Sequence, residues 1–309
     1  IKISPGDEVI VTSRTFFSSV SSIVNLGATP IFADVLMDSQ NIDPDSIYKK
    51  ITNKTKAIIC VHLAGWPCEM DEILRIAKKH NLKLIEDTAQ ALTSIYCDEN
   101  GLSGKAGTLG HIGTTSFFPS KNLGCFGDGG ALISHSIDLA SECETITNHG
   151  SDIKYSHFEV GMNSRLDAIQ AAILRVKLKS LEEYNGARRE AAARYDTLLE
   201  GTTGITIPHR AQCSSHVFHQ YTIKIDPFYT DNETIQRELK KSEIPSAIYY
   251  PTPIHLQQAY NWLDYREGDF PVSEKLSKSV LSLPMHTELS AEQQVYIAER
   301  LIAAIKKWI

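Results

Sequence analysis

Residues 55–91 read TKAIICVHLAGWPCEMDEILRIAKKHNLKLIEDTAQA. Residues 57–61 form an unbroken apolar run of strand length, residues 70–80 carry apolar positions at helical spacing, and residues 83–86 return as a strand that stops at Asp87. Strand, helix and strand in that order describe a βαβ crossover, the unit of a parallel sheet. The same alternation extends upstream. Residues 8–11 and 30–32 read as strands, residues 18–26 as a helix ended by Gly27, and Asp43 and Pro44 as the N-cap and first-turn proline of a helix reaching Lys50. Downstream, residues 115–118 and 131–134 read as strands flanking a Gly-rich connection, and residues 137–148 as a helix closed by Gly150.

Beyond about residue 160 the pattern changes to long helices, expected over 164–178 and 181–199. Shorter elements follow: strands at 220–225 and 248–250, and helices at 232–242, 272–279 and 291–307. The expected architecture is α/β, a mostly parallel central sheet flanked by helices, with a smaller C-terminal α+β unit. The expected division is 1–160 for the large domain, 161–200 for linking helices and 201–309 for the small domain.

Composition narrows the function. The 309 residues include 31 Lys and Arg against 37 Asp and Glu, a net charge of −6, which gives no basic surface for nucleic acid or anionic lipid. No apolar run approaches the roughly 18 residues that span a bilayer, and IKISPGDEVIV lacks the order of a signal peptide. A cytoplasmic protein with reduced thiols is expected, since Cys60, Cys68, Cys97, Cys125, Cys143 and Cys213 are scattered without a C-x-x-C pair. No Cys/His spacing suits zinc, and no metal site is assigned.

The densest chemical signal is residues 116–131, SFFPSKNLGCFGDGGA. Lys121 stands ahead of Gly124, Gly127, Gly129 and Gly130, glycines that permit positive φ or close backbone approach to a ligand. The spacing is not that of a nucleotide phosphate loop. Asp87 ends a strand where doubly wound sheets bind ligands, though it also suits an N-cap. An amine and a carboxylate together match pyridoxal 5′-phosphate, which needs a Schiff-base lysine and an acid partner for its pyridine nitrogen.

Five separated stretches resemble the DegT/DnrJ/EryC1/StrS family of fold-type I sugar aminotransferases: PGDEVIVTSRTFFSS, TKAIICVHLAGWPCEMDEI with LIEDTAQA, TSFFPSKNLGCFGDGGA, GMNSRLDAIQAAIL, and IYYPTPIH with SLPMH. The resemblance implies Lys121 and Asp87 as catalytic residues. It implies Phe16 stacking on the cofactor ring, Gln90 beside the cofactor, Ser116 at its phosphate, and Asn163 at the phosphate of a neighbouring subunit. Bland readings stand beside these: a core aromatic for Phe16, a strand end for Ser116, and helix caps for Gln90 and Asn163. His149, Tyr249 and Tyr250 are candidate substrate contacts, His149 being equally a helix end, and Arg165 is either a substrate contact or a structural ion-pair partner.

The resemblance further implies transamination of a keto nucleotide-sugar, glutamate as donor, a homodimer with composite sites, and a role in amino-sugar, lipopolysaccharide or other surface-polysaccharide synthesis. Some features depart from the family pattern: Tyr249 replaces a usual histidine, His111 a usual aspartate, and an upstream phosphate-binding turn is expected to be missing. The alternatives are a catalytically idle or regulatory paralogue, or a dehydratase of the same fold, which carries histidine in place of Lys121. The form PSKNLGCFGDGGA favours a 3-keto over a 4-keto sugar.

Overall fold

The computed structural model describes residues 2–211 and 214–309. Its main sheet has strands β1 (Glu8–Thr12), β2 (Thr29–Ala33), β3 (Thr55–Val61), β4 (Lys83–Asp87), β7 (Ile112–Ser116) and β8 (Gly130–Ile133) in the order β2-β1-β3-β4-β7-β8. The first five are parallel, and β8 returns antiparallel to β7. A short hairpin, β5 (Ile95–Cys97) with β6 (Ser103–Lys105), projects from the connection after β4.

Helices α1 (Ser18–Val24), α2 (Pro44–Lys50) and α3 (Met70–Lys79) are the crossovers. Alternation along the strands explains why both faces are covered. In β3, Ile58 and Cys60 join Ile10, Ile47, Met70 and Ile73 in one core, while Ala57, Ile59 and Val61 join Val9, Val11, Val20 and Phe32 in the other. Each fully buried isoleucine contributes about 1.5–3 kcal/mol relative to exposure. The α2 start is as expected, Asp43 accepting from the Asp45 N–H with Pro44 in the first turn.

After β8 come α4 (Ile137–Thr147), α5 (Ala168–Lys177) and the long α6 (Leu181–Leu199). The C-terminal part has a second sheet, β11 (Val280–Leu283), β10 (Tyr221–Ile225) and β9 (Ile205–Thr206), with α7 (Asn232–Lys241), α8 (Pro271–Ser277) and α9 (Ala291–Lys306). Its core joins Tyr195 and Leu199 of α6 to Tyr221, Ile223, Leu239 and Leu301.

Three expectations need correction. The helix expected from Ser164 begins at Ala168, because Met162 N–H bonds the Ile146 carbonyl and Ser164 N–H the Thr147 carbonyl, which holds the intervening chain extended beside α4. Asn163 is therefore not a helix cap; it bridges Asn148 instead. Residues 248–250 form no strand, the pairing with β11 being limited to Ala247 opposite Ser282. Cys60, Cys68, Cys125 and Cys143 are free thiols, but Cys97 is disulfide-bonded, against the expectation of reduced thiols. Cys213 lies outside the described residues.

Candidate active site

Parallel strands end together at one edge of the main sheet, and their carboxyl ends bring residues from distant segments into one place. Asp87 closes β4, paired with Val61 of β3 on one side and Thr114 of β7 on the other. Its Oδ2 accepts from Ser19 Oγ at 2.8 Å and its Oδ1 from the Ala89 N–H at 3.0 Å. Ser19 Oγ in turn meets Thr15 Oγ1 at 2.9 Å. No helix follows Asp87, so neither it nor Gln90 is a helix cap. A cavity of about 410 Å³ opens here, lined by Asp87, Ser19, Ala89, Thr114 and Ser116 among others.

Lys121 lies in the turn after β7, its backbone N–H bonded to the Phe118 carbonyl. A Cβ on Gly124 would lie 2.4 Å from the Pro119 carbonyl, so only glycine lets this turn close on itself. None of Gly124, Gly127, Gly129 and Gly130 has a positive φ; they serve close approach, not left-handed backbone. The Lys121 amine forms no ion pair among the described residues. Burial lowers its basicity, and the Asp87 charge opposes that shift.

Gln90 ties the site together: its Oε1 accepts from the Ala64 N–H at 2.7 Å and its Nε2 donates to the Tyr250 hydroxyl at 3.2 Å. Burial pushes the Tyr250 phenol up to about 12. Phe16 is 61% exposed, far from a core aromatic, with its ring centroid 6.4 Å from that of Tyr250. The Tyr249 ring is 5.7 Å from the Tyr250 ring, and its carbonyl accepts from Arg14. Ser116 ends β7, and its Oγ accepts from the Phe118 N–H at 3.2 Å.

Two sets of candidates stand apart. Asn163 and Arg165 line a second depression of about 820 Å³ bounded by β8 and α4, which shares Thr114 and Thr115 with the Asp87 cavity. Arg165 donates to Asn148 Oδ1 at 3.0 Å and forms no ion pair among the described residues. His149, exposed and with φ of 63°, terminates the α4 region, and no hydrogen bond joins it to Asp87 among the described residues.

Sequence reading missed three contributors. Ser19, which holds Asp87, is indistinguishable by pattern from the serines around it. Arg14 is buried beside Tyr249. Behind Asp87, the fully buried Glu86 accepts from His62 Nε2 at 3.0 Å and from the backbone N–H groups of Gly107, Leu109 and Gly110. His62 Nδ1 accepts from the Cys68 N–H, which fixes the proton on Nε2. Glu86 thus locks the turn that leads into β7 to the strand that carries Asp87. The only hint was a second acid directly before Asp87.

A family model described as the DegT/DnrJ/EryC1/StrS aminotransferase family matches residues 1–302. The chain is 46% identical over 302 residues to a pleiotropic regulatory protein of Geobacillus stearothermophilus, covering 97% of this chain and 78% of that one. It is 42% identical to a UDP-N-acetyl-3-dehydro-alpha-D-glucosamine 3-aminotransferase of Acidithiobacillus ferrooxidans, covering 96% and 78%. The crystal structure of Streptomyces venezuelae DesV in complex with a ketimine intermediate superposes with a TM-score of 0.89 at 38% identity, covering 99% of this chain and 79% of that one.

Proposed function

The chain belongs to the DegT/DnrJ/EryC1/StrS aminotransferase family, and we propose that it transfers an amino group from glutamate to a keto nucleotide-sugar. It is a pyridoxal-phosphate-dependent transaminase with a mostly parallel α/β fold. The observation that carries the assignment of its chemistry is the pairing of Asp87, held by Ser19 and Ala89 at a cavity, with an unpaired lysine amine in whose field it lies.

The donor set fits the cofactor. Asp87 would hold the pyridine nitrogen, Phe16 and Gln90 the ring, Ser116 the phosphate, and Lys121 the aldehyde carbon. When bound, pyridoxal phosphate supplies an electron-withdrawing ring that stabilises negative charge on the carbon losing a proton. Asp87, braced by Ser19 and the Ala89 N–H, would hold a proton on its partner nitrogen. Lys121, made less basic by burial, accepts a proton at Nζ from the donor amino acid and returns one in the second half-reaction. Ser19 and Gln90 orient the groups that do this work.

Within that reading, 1–160 is the cofactor domain, 161–200 links it, and 201–309 forms the small domain that contributes Tyr249 and Tyr250. The finer proposal is a 3-keto substrate, supported by the form of the Lys121 segment and by the 3-dehydro sugar named for the Acidithiobacillus relative. It also includes a cytoplasmic homodimer in which Asn163 serves the partner's site, and a place in lipopolysaccharide or other surface-polysaccharide synthesis. Presence of Lys121 speaks against the dehydratase alternative. Incubation with glutamate and matched 3-keto and 4-keto nucleotide-sugars tests the reading. Mass spectrometry should find the aminated 3-keto product formed faster; no amination of any keto sugar would overturn the function, and faster 4-keto turnover the regiochemistry.

A further inference from the structure

Arg14 is a buried cation with no counter-ion among the described residues. It follows β1, is 2% exposed, and its Nη2 donates to the Tyr249 carbonyl. Its Nε and Nη1 are buried without an acceptor among the described residues. The carboxylates within reach of the same network are engaged elsewhere. Asp34 caps the start of α8, accepting from the Val272 and Ser273 N–H groups and from Ser273 Oγ, which also meets Ser13 Oγ at 2.7 Å. Asp87 is held by Ser19 and Ala89. Burial lowers the Arg14 guanidinium to about 10, which leaves it charged at neutral pH.

An unneutralised buried charge with free donors is costly to fold around, and its usual resolution is an anion brought by a ligand. Arg14 holds the carbonyl of Tyr249, and the hydroxyl of the next residue, Tyr250, accepts from Gln90, so Arg14 is tied to the Gln90–Tyr250 side of the site. A guanidinium matches a carboxylate in charge and shape.

We propose that Arg14 binds a substrate carboxylate, that of the amino-acid donor or of an acidic sugar, at the Gln90–Tyr250 side of the active site. This rests on the transaminase reading above. It assigns to a residue just after β1 the task of seating a substrate carboxylate.

The test titrates the cofactor-loaded wild-type protein and Arg14→Met with two unreactive probes, glutarate for the donor and glucuronate for an acidic sugar. Removing one member of a close charge pair typically weakens binding by about 30-fold or more. The expected result is a loss of that size for glutarate with glucuronate unchanged; loss for glucuronate instead assigns the carboxylate to the sugar. Equal affinities of variant and wild type, or no binding of either probe to wild type, would overturn the proposal. Should Arg14→Met fail to fold, a crystal structure of wild type with each probe decides: a carboxylate on Nε or Nη1 of Arg14 supports it, and a carboxylate elsewhere refutes it. Transamination by the same wild-type preparation is assayed in parallel, so failure of the enzymatic reading registers separately.

Discussion

Around Asp87 the chain holds its polar groups with its own partners, Lys121 and Arg14 excepted, whereas around Asn163 it leaves its own apolar surface open. On the first side Ser19 and Ala89 hold Asp87, Gln90 joins Ala64 to Tyr250, and the buried Glu86 lies behind. On the second, neither α4 nor β8 buries a residue, and Ile137, Val160 and Ile169 are 85%, 99% and 75% exposed. Exposed apolar residues this dense mark a surface that is covered in use. The contrast teaches which parts of the proposed chemistry one chain supplies alone, and which depend on whatever covers the β8–α4 face. In the reading above that cover is a second copy, which places Asn163 at the partner's cofactor.

Substitutions on the two sides should therefore behave differently. The largest effect is expected on the self-contained side. Lys121→Ala removes the proton-carrying amine and should lower transamination by about 10³-fold or more, measured by keto-acid release. Asp87→Asn keeps the Ser19 and Ala89 contacts but loses the charge, and turnover should fall by at least about a hundredfold. Near wild-type turnover would assign the role to another acid.

On the open side, Asn163→Ala should be inactive or nearly so alone, yet regain activity when mixed with Lys121→Ala, because one site of the mixed dimer receives both intact residues. Sedimentation should show a dimer at micromolar concentration. A monomer, or no recovery on mixing, would remove the distinction between the two regions. The smallest effect is expected for Ser19→Ala. It deletes one of two hydrogen bonds to a partly exposed carboxylate and should slow turnover about three- to tenfold without changing oligomeric state.

The same contrast explains what could be read from the sequence. Elements whose ends are marked by local chemistry were legible: α2 with its Asp43–Pro44 start, and α6, which spans Leu181–Leu199 as expected. The Lys121–Asp87 pair was legible because strand ends in a parallel sheet converge. Elements settled by long-range pairing were not. The four-residue run of β11 goes unassigned in the sequence because only its pairing with β10 makes it a strand, and the residues at 164–167 read as helix until the bonds to Ile146 and Thr147 are known. Ser19 and Arg14 carry no local signal, since their importance comes only from what the fold sets beside them.

Borohydride reduction of the protein loaded with pyridoxal phosphate, followed by peptide mapping, tests the central claim most directly. The account predicts a pyridoxyl group fixed on the peptide containing Lys121 and absent from Lys121→Ala. A label on a different lysine, or none at all, would contradict it.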